Sequence, residues 1–139
     1  MSKKYLVTGA AGFIASQVCR QLLEQGDQVI GVDNLNDYYD VRLKKWRLDQ
    51  LTSHPNANNF RFVKLDIENQ ENLKELCRSE GPFDAVFNLA ARAGVRYSME
   101  NPHVYLSTNA EGSLNLLECM REYGYSKFVL ASTSSLYAG

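Results

Sequence analysis

The apolar and polar positions of this chain fall into blocks that read as strands followed by helices. Tyr5-Leu6-Val7 is a short apolar run closed by Thr8-Gly9, and from Gly12 to about Gln25 the residues Ile14, Val18, Leu22 and Leu23 recur at helical spacing. Gly26 stops that helix, and Gln28-Val29-Ile30-Gly31-Val32 forms a second apolar run that ends in Asp33-Asn34, residues suited to a turn. The opening is therefore β-α-β. Phe60 to Leu65 reads as a third strand closed by Asp66, Asn69 to Cys77 as a helix, Phe83 to Leu89 as a fourth strand and Lys127 to Ala131 as a fifth. Pro102 stands where a helix can begin, and Leu106, Leu114, Leu117 and Met120 give that helix an apolar face up to Tyr123-Gly124. Strands that are nearly all apolar and alternate with helices predict an α/β fold. The expected form is a doubly wound parallel sheet of about five strands with helices on both faces.

Between the second and third strands the pattern is weaker. Val41 to Leu51 carries Leu43, Trp46 and Leu51 among Arg42, Lys44, Lys45 and Arg47, which predicts an exposed amphipathic helix, and Ser53 to Asn59 is polar loop. The basic run invites a phosphate-binding role, but Asp40 and Asp49 partly balance it and a solvated helix face is the expectation.

Composition narrows the classes of function. The 139 residues are 45% hydrophobic and 22% charged, with a formal net charge of -1. Such a chain suits one globular domain over residues 1–139 with no second domain, and offers no electrostatic footprint for nucleic acid or an acidic membrane. Cys19, Cys77 and Cys119 have no C-x-x-C spacing and no neighbouring histidine, so neither a disulfide framework nor a metal site is expected. Reduced thiols, and an N-terminal apolar stretch that Thr8, Gly9 and Gly12 interrupt early, place the chain in the cytoplasm.

The candidate chemistry begins at Thr8-Gly9-Ala10-Ala11-Gly12-Phe13-Ile14-Ala15, which joins the first strand to the first helix. A parallel sheet presents free backbone N–H groups and a positive helix end at that place, and a pyrophosphate fits there. Gly9 permits the tight turn, Gly12 allows close approach to the backbone, and the small Ala15 lets the helix lie close on the sheet. The spacing is G-x-x-G-x-x-A. Asp33, at the end of the second strand, stands where a carboxylate accepts hydrogen bonds from an adenosine ribose. That carboxylate would repel a 2′-phosphate, and no Arg or Lys occurs between Asp33 and Arg42 to attract one, so NAD is expected in preference to NADP.

The segments TGAAGFIAS at 8–16, DNLNDYYDVRLK at 33–44, LDI at 65–67, NLAARAGVRYSMENP at 88–102, TNAEGSLNLLE at 108–118 and ASTSSLYAG at 131–139 together resemble the extended short-chain dehydrogenase/reductase family. Within it they resemble the NAD-dependent epimerase/dehydratase group. DNLNDYYD and AARAGVRYSMENP are most similar to UDP-glucuronate 4-epimerases, which interconvert UDP-glucuronate and UDP-galacturonate. The resemblance implies a Rossmann-like fold with strand order 3-2-1-4-5, strand five forming an open, apolar edge that invites self-association. It implies backbone contacts to the NAD pyrophosphate at Gly9, Gly12, Phe13 and Ile14, ribose contacts at Asp33 and Asn34, and Asp66 and Ile67 beside the adenine. Leu89, Ala90, Ala91 and Arg92 would pass beside the nicotinamide half, with a further cofactor contact at Thr108. Thr133 matches the catalytic hydroxyl that hydrogen-bonds the sugar 4-hydroxyl, and Ser134 and Ser135 match positions near the substrate carboxylate.

Two departures from the family pattern matter. Most relatives have glycine where Ala15 stands, and the family's Tyr-x-x-x-Lys pair and sugar-nucleotide-binding region fall beyond Gly139. Tyr123-Gly124-Tyr125-Ser126-Lys127 has the spacing of that pair by letters alone, but it precedes the fifth strand at the edge opposite the cofactor. The resemblance thus implies the cofactor-binding part of an isomerase acting at C4 of a UDP-sugar by transient hydride transfer to NAD. On this reading the chain is truncated, missing a C-terminal half, and inactive alone. The alternatives are an NAD-binding module without catalysis and part of a nucleotide-sugar 4,6-dehydratase. The dehydratases usually carry Asp-Glu after the threonine, where Ser134-Ser135 stands here.

Overall fold

The computed structural model describes residues 2–137, apart from the side chains of Ser134 and Ser135. The apolar runs form strands β1 (Lys4–Thr8), β2 (Gln28–Asp33), β3 (Phe60–Lys64), β4 (Ala85–Asn88) and β5 (Phe128–Leu130). They make one parallel sheet in the order β3-β2-β1-β4-β5, as expected. The register aligns Thr8 with Val32 on one side and with Asn88 on the other, so the carboxyl ends of the three central strands open at one edge.

Alternation along the strands divides the core in two. Leu6, Ile30, Val32 and Val86 pack on α3 (Gln70–Glu80) and α6 (Gly112–Tyr123), through Leu73, Leu76, Cys77, Leu116, Cys119 and Met120. Val7 and Val29 face the other way, onto α1 (Phe13–Glu24) and α2 (Val41–Thr52), through Ala15, Cys19, Leu22, Leu23, Leu48 and Leu51. Strands that bury both faces read as continuous apolar runs, which is why β1 and β2 stand out in the sequence. No helix among the described residues is long and apolar enough to cross a membrane.

Three expectations need correction, and one helix was not expected. The helix predicted from Pro102 to Tyr123 is three segments: α5 (Pro102–Tyr105), a π-helical turn at Leu106–Glu111, and α6. The turn inserts where Thr108 and Asn109 reach toward the strand ends, and where Gly112 lies so close to Ile67 that a Cβ there would sit 2.7 Å from its side chain. The unexpected helix is the short α4, Val95–Glu100, whose Val95 and Met99 are both exposed. β4 is shorter than the run Phe83–Leu89, because Phe83 turns into the core against Tyr125 and the Leu89 N–H donates to Thr8 Oγ1. Lastly, α2 is rotated from the expected face: Lys44, Leu48 and Leu51 point inward, while Leu43 and Trp46 are exposed. The basic run is therefore not uniformly solvated.

Candidate functional site

The site grows from the carboxyl edge of the sheet. Gly9 follows β1 with φ +69°, a left-handed conformation, and a Cβ on it would lie 2.9 Å from the Leu89 carbonyl oxygen. A Cβ on Gly12 would lie 2.9 Å from the Gly9 carbonyl oxygen. These glycines leave a shallow cradle in front of α1. The helices α2 and α3 are capped by side chains, Asp40 accepting from the Arg42 N–H and Asn69 from the Asn72 N–H, whereas Gly12 gives α1 no capping side chain. The first turn of α1 also lacks an acidic residue, so its N–H groups and positive dipole end remain available to an anion.

Asp33 is fixed at the rim of this cradle. Its Oδ2 accepts from the Ala11 N–H at 3.1 Å and its Oδ1 from the Leu35 N–H at 2.8 Å, and Leu35 takes up φ +54° to complete the turn. Asn34 Oδ1 accepts from both the N–H and the side-chain amide of Asn36, which folds the next residues back toward α2. Lys44 Nζ donates to the Asn36 carbonyl at 2.8 Å and to Asn36 Oδ1 at 3.1 Å. Burial draws the Lys44 ammonium below its ordinary pKa; Asp33 opposes this, while Arg92 and Arg47 add to it.

On the other side of the cradle a polar chain ties the strand ends together. Thr8 Oγ1 donates to Asn88 Oδ1 at 2.7 Å and accepts from the N–H groups of Leu89 and Ala90. Asn88 Nδ2 donates to Ser113 Oγ, and the Ser113 hydroxyl donates to the Asn109 carbonyl. The Asn109 side chain then pairs with both backbone groups of Arg92. Residues 89–92 are thereby held from β1, β4 and the π-helical turn at once. Tyr38 and Tyr105 hydroxyls both donate to the Ala93 carbonyl, and the Arg92 guanidinium lies 5.8 Å from the Tyr38 ring centre. Arg92 Nε is buried without a hydrogen-bond partner among the described residues.

Two connected hollows result. The inner one, about 130 Å³, is lined by Gly9, Gly12, Asp33, Asn34, Lys44, Asp66, Ile67, Leu89–Arg92 and Thr108. It thus brings together all the expected cofactor residues except Phe13 and Ile14. Those two border the wider cleft beside it, about 930 Å³, with Arg47, Asn88 and residues 130–133. Thr133 lines that cleft; the side chains of Ser134 and Ser135 lie outside the described residues. Thr108 is in the wall, its hydroxyl donating to Glu68 Oε1 at 2.6 Å. Asp66 Oδ1 accepts from the Glu68 N–H, which fixes the turn after β3.

Sequence reasoning misses several contributors. Lys44, Arg47, Asn36 and Tyr38 enter the site from the segment read as a solvated helix and its approach, and Thr8, Asn88, Asn109 and Ser113 act as the internal scaffold. The usable signal was Lys44 itself, four and seven residues before Leu48 and Leu51 and hence on their face. Tyr123 closes α6, beyond which Gly124 takes φ +78°, and Lys127 is exposed before β5; both sit at the end of β5 opposite Thr133.

The order β3-β2-β1-β4-β5, the glycine turn leading into α1 and the fixed Asp33 define a Rossmann-like α/β domain. The chain belongs to the family described as GDP-mannose 4,6 dehydratase, whose model matches residues 6–138. A UDP-glucuronate 4-epimerase of Thermodesulfobacterium geofontis is 55% identical over 135 residues, 97% of this chain and 41% of that protein. The solved UDP-Glc/GlcNAc 4-epimerase of Campylobacter jejuni superposes with a TM-score of 0.84 at 30% identity, over 99% of this chain and 39% of that one. The UDP-glucose-4-epimerase of Stenotrophomonas maltophila, solved with NAD and formylated UDP-arabinopyranose, gives 0.82 at 31% identity over 97% and 38%. The chain spans about two fifths of the length of these relatives.

Proposed function

We propose that the inner hollow binds the adenosine half of NAD and that the chain is the cofactor-binding part of a UDP-glucuronate 4-epimerase, working in the cytoplasm. The observation that carries this is the Asp33 carboxylate, held by the Ala11 and Leu35 N–H groups beside the glycine cradle. A carboxylate so held keeps lone pairs to accept from ribose hydroxyls. The cradle fits the group: its glycines let the backbone pack too closely for a Cβ, the first turn of α1 is uncapped, and among the described residues Arg92 Nε is buried without a partner. Asp66, Ile67 and Thr108 would enclose the base, and Gly9, Gly12, Phe13 and Ile14 would meet the pyrophosphate.

When bound, NAD supplies a reversible hydride acceptor for C4 of the sugar. The protein's share is to hold residues 89–92 rigid beside the nicotinamide half, and to present the Thr133 hydroxyl to the sugar 4-hydroxyl, with Ser134 and Ser135 near the uronate carboxylate. The relatives' names support UDP-glucuronate as the sugar nucleotide. The domain is one unit over residues 1–139. The exposed Val129 and Leu130 of β5 support self-association along that edge.

Calorimetric titration tests the cofactor reading. Wild-type chain should bind NAD, and Asp33→Ala should weaken binding by about tenfold or more, the scale of one or two hydrogen bonds to a charged group. Unchanged NAD affinity in the variant would remove Asp33 from the ribose site.

A further inference from the structure

A basic residue of the second helix shares the hollow that Asp33 lines. Lys44 stands eleven positions away, on the second helix, yet it is only 7% exposed and lines the same hollow. Its ammonium donates to the two Asn36 oxygens, which leaves a third N–H, and among the described residues no carboxylate oxygen lies within 4.0 Å of it. A buried cation without a contact ion pair is costly, and the hollow is where an anion could reach it. Arg92 adds a second positive group to the same wall, its Nε unpartnered.

We propose that Lys44 is a specificity-determining residue: it already supplies the cation that a 2′-phosphorylated adenosine needs, and Asp33 alone keeps that class of dinucleotide out. The inference rests on the reading that this hollow holds the adenosine half of a dinucleotide. A ribose hydroxyl asks for an acceptor, which the fixed Asp33 carboxylate provides, and gains a donor in Lys44. A 2′-phosphate brings about -1.5 to -2 charges, which the carboxylate repels and the Lys44 ammonium attracts. With Asp33 neutral, the wall keeps the Lys44 cation and loses the carboxylate fixed at that rim. Cofactor choice is then a balance between two named side chains, and it is reversible.

The experiment is titration of the full chain with NAD and with NADP, in wild type, Asp33→Ser, Asp33→Asn, Lys44→Met and Asp33→Ser/Lys44→Met. Asp33→Asn keeps an acceptor for the Leu35 N–H should the serine variant fold poorly, and circular dichroism monitors folding throughout. Wild type should favour NAD. Either neutral variant should favour NADP, by about tenfold, with a steeper loss of NADP affinity as salt rises. Adding Lys44→Met should abolish that gain, and Lys44→Met alone should weaken NADP more than NAD. The inference is overturned if folded Asp33 variants still bind NAD but gain nothing for NADP, if the double variant keeps the gain, or if Lys44→Met weakens both dinucleotides equally. Wild-type binding of neither dinucleotide removes the cofactor reading, and this inference with it; wild-type NAD binding without the reversal removes this inference alone.

Discussion

Thr8 and Asn88 stand side by side at the ends of β1 and β4, and the Thr8 hydroxyl donates to Asn88 Oδ1 across 2.7 Å with both residues buried. Thr8 Oγ1 also accepts from the Leu89 and Ala90 N–H groups, so one side chain satisfies three neighbours at the point where residues 89–92 leave the sheet. Thr8→Val keeps the shape and removes the hydroxyl. The expected loss is about 3 kcal/mol, because buried partners left unpaired cost about 1–3 kcal/mol each and can relax in part. Thr8→Ser, which keeps the hydroxyl and deletes one methyl, should lose only about 1 kcal/mol. Urea denaturation of the two variants separates these outcomes.

Gly9→Ala should harm both stability and NAD binding. The left-handed backbone costs a non-glycine residue about 1–2 kcal/mol, and the new Cβ would meet the Leu89 carbonyl oxygen at 2.9 Å. The loop 89–92 must move outward, widening the hollow that should hold the ribose. The expected signature is a loss of at least about 2 kcal/mol in denaturation together with weaker NAD binding. Gly26, whose φ is +84° but whose Cβ would meet nothing within 4 Å, serves as the control: Gly26→Ala should cost stability through backbone strain and leave binding unchanged.

The strands and the cradle could be read from the chain because they depend on local signals, doubly buried strands being apolar throughout and glycines marking positive φ, whereas the strand order came only with the family resemblance. Phe13 and Ile14, put forward as backbone contributors by the resemblance alone, carry exposed side chains. Lys44 could not be weighed in that way, since its burial depends on how α2 is rotated against α1, a tertiary choice that Leu43 and Trp46 obscure by being apolar and exposed. The π-helical turn at Leu106–Glu111 was equally hidden: its Thr108 and Asn109 bond to Glu68 and Arg92, residues distant in sequence. The buried chain from Thr8 to Asn109 has no periodicity at all. It is made by strand adjacency.

Alkaline pH should unfold the chain earlier than ordinary cysteines and tyrosines allow. Burial pushes the Cys19 thiol from 9.0 up to about 12, and burial likewise raises the Tyr125 hydroxyl from 10.0 to about 12. Both groups are neutral when protonated, and the folded state binds the proton more tightly than the unfolded state. The stabilisation is complete below about pH 9 and is lost as pH rises toward 12, each group contributing a slope of about 1.4 kcal/mol per pH unit inside its window. Denaturation midpoints at pH 8, 9.5 and 11 should fall steadily, and Cys19→Ala should flatten the fall while lowering the value at pH 8.

Alone, the chain should not epimerise UDP-glucuronate at a useful rate. Tyr105, the tyrosine beside α4 in the wide cleft, donates to the Ala93 and Gly94 carbonyls, and desolvation with its neighbour Tyr38 pushes its hydroxyl up to about 12, unsuited to take a proton at neutral pH. Lys127 is at the wrong end of β5 to lower it. General-base catalysis is worth about 10²- to 10⁴-fold, and near-attack positioning about 7–11 kcal/mol more. Incubation with NAD and UDP-glucuronate, followed by chromatographic separation of the uronate epimers, should show no product. Turnover that disappears in Tyr123→Phe or Lys127→Ala would restore the pair rejected here.

The edge of the sheet gives the last expectation. β5 pairs with β4 on one side, through Phe128, Val129 and Leu130, and within the described sheet no strand lies on its other side. Val129 and Leu130 are 45% and 56% exposed, so an unpaired backbone ladder carries apolar side chains. Such an edge pairs with another chain unless a charge or a bulge prevents it. Light scattering across a concentration series should therefore show a mass that rises with concentration. Val129→Lys places a charge on the edge while leaving the cleft residues Leu130–Thr133 untouched, and should return the chain to a monomer with NAD affinity unchanged. A wild-type chain that stays monomeric at millimolar concentration would show that the edge is protected by something other than its own residues' polarity, and the β5 pairing argument would fail.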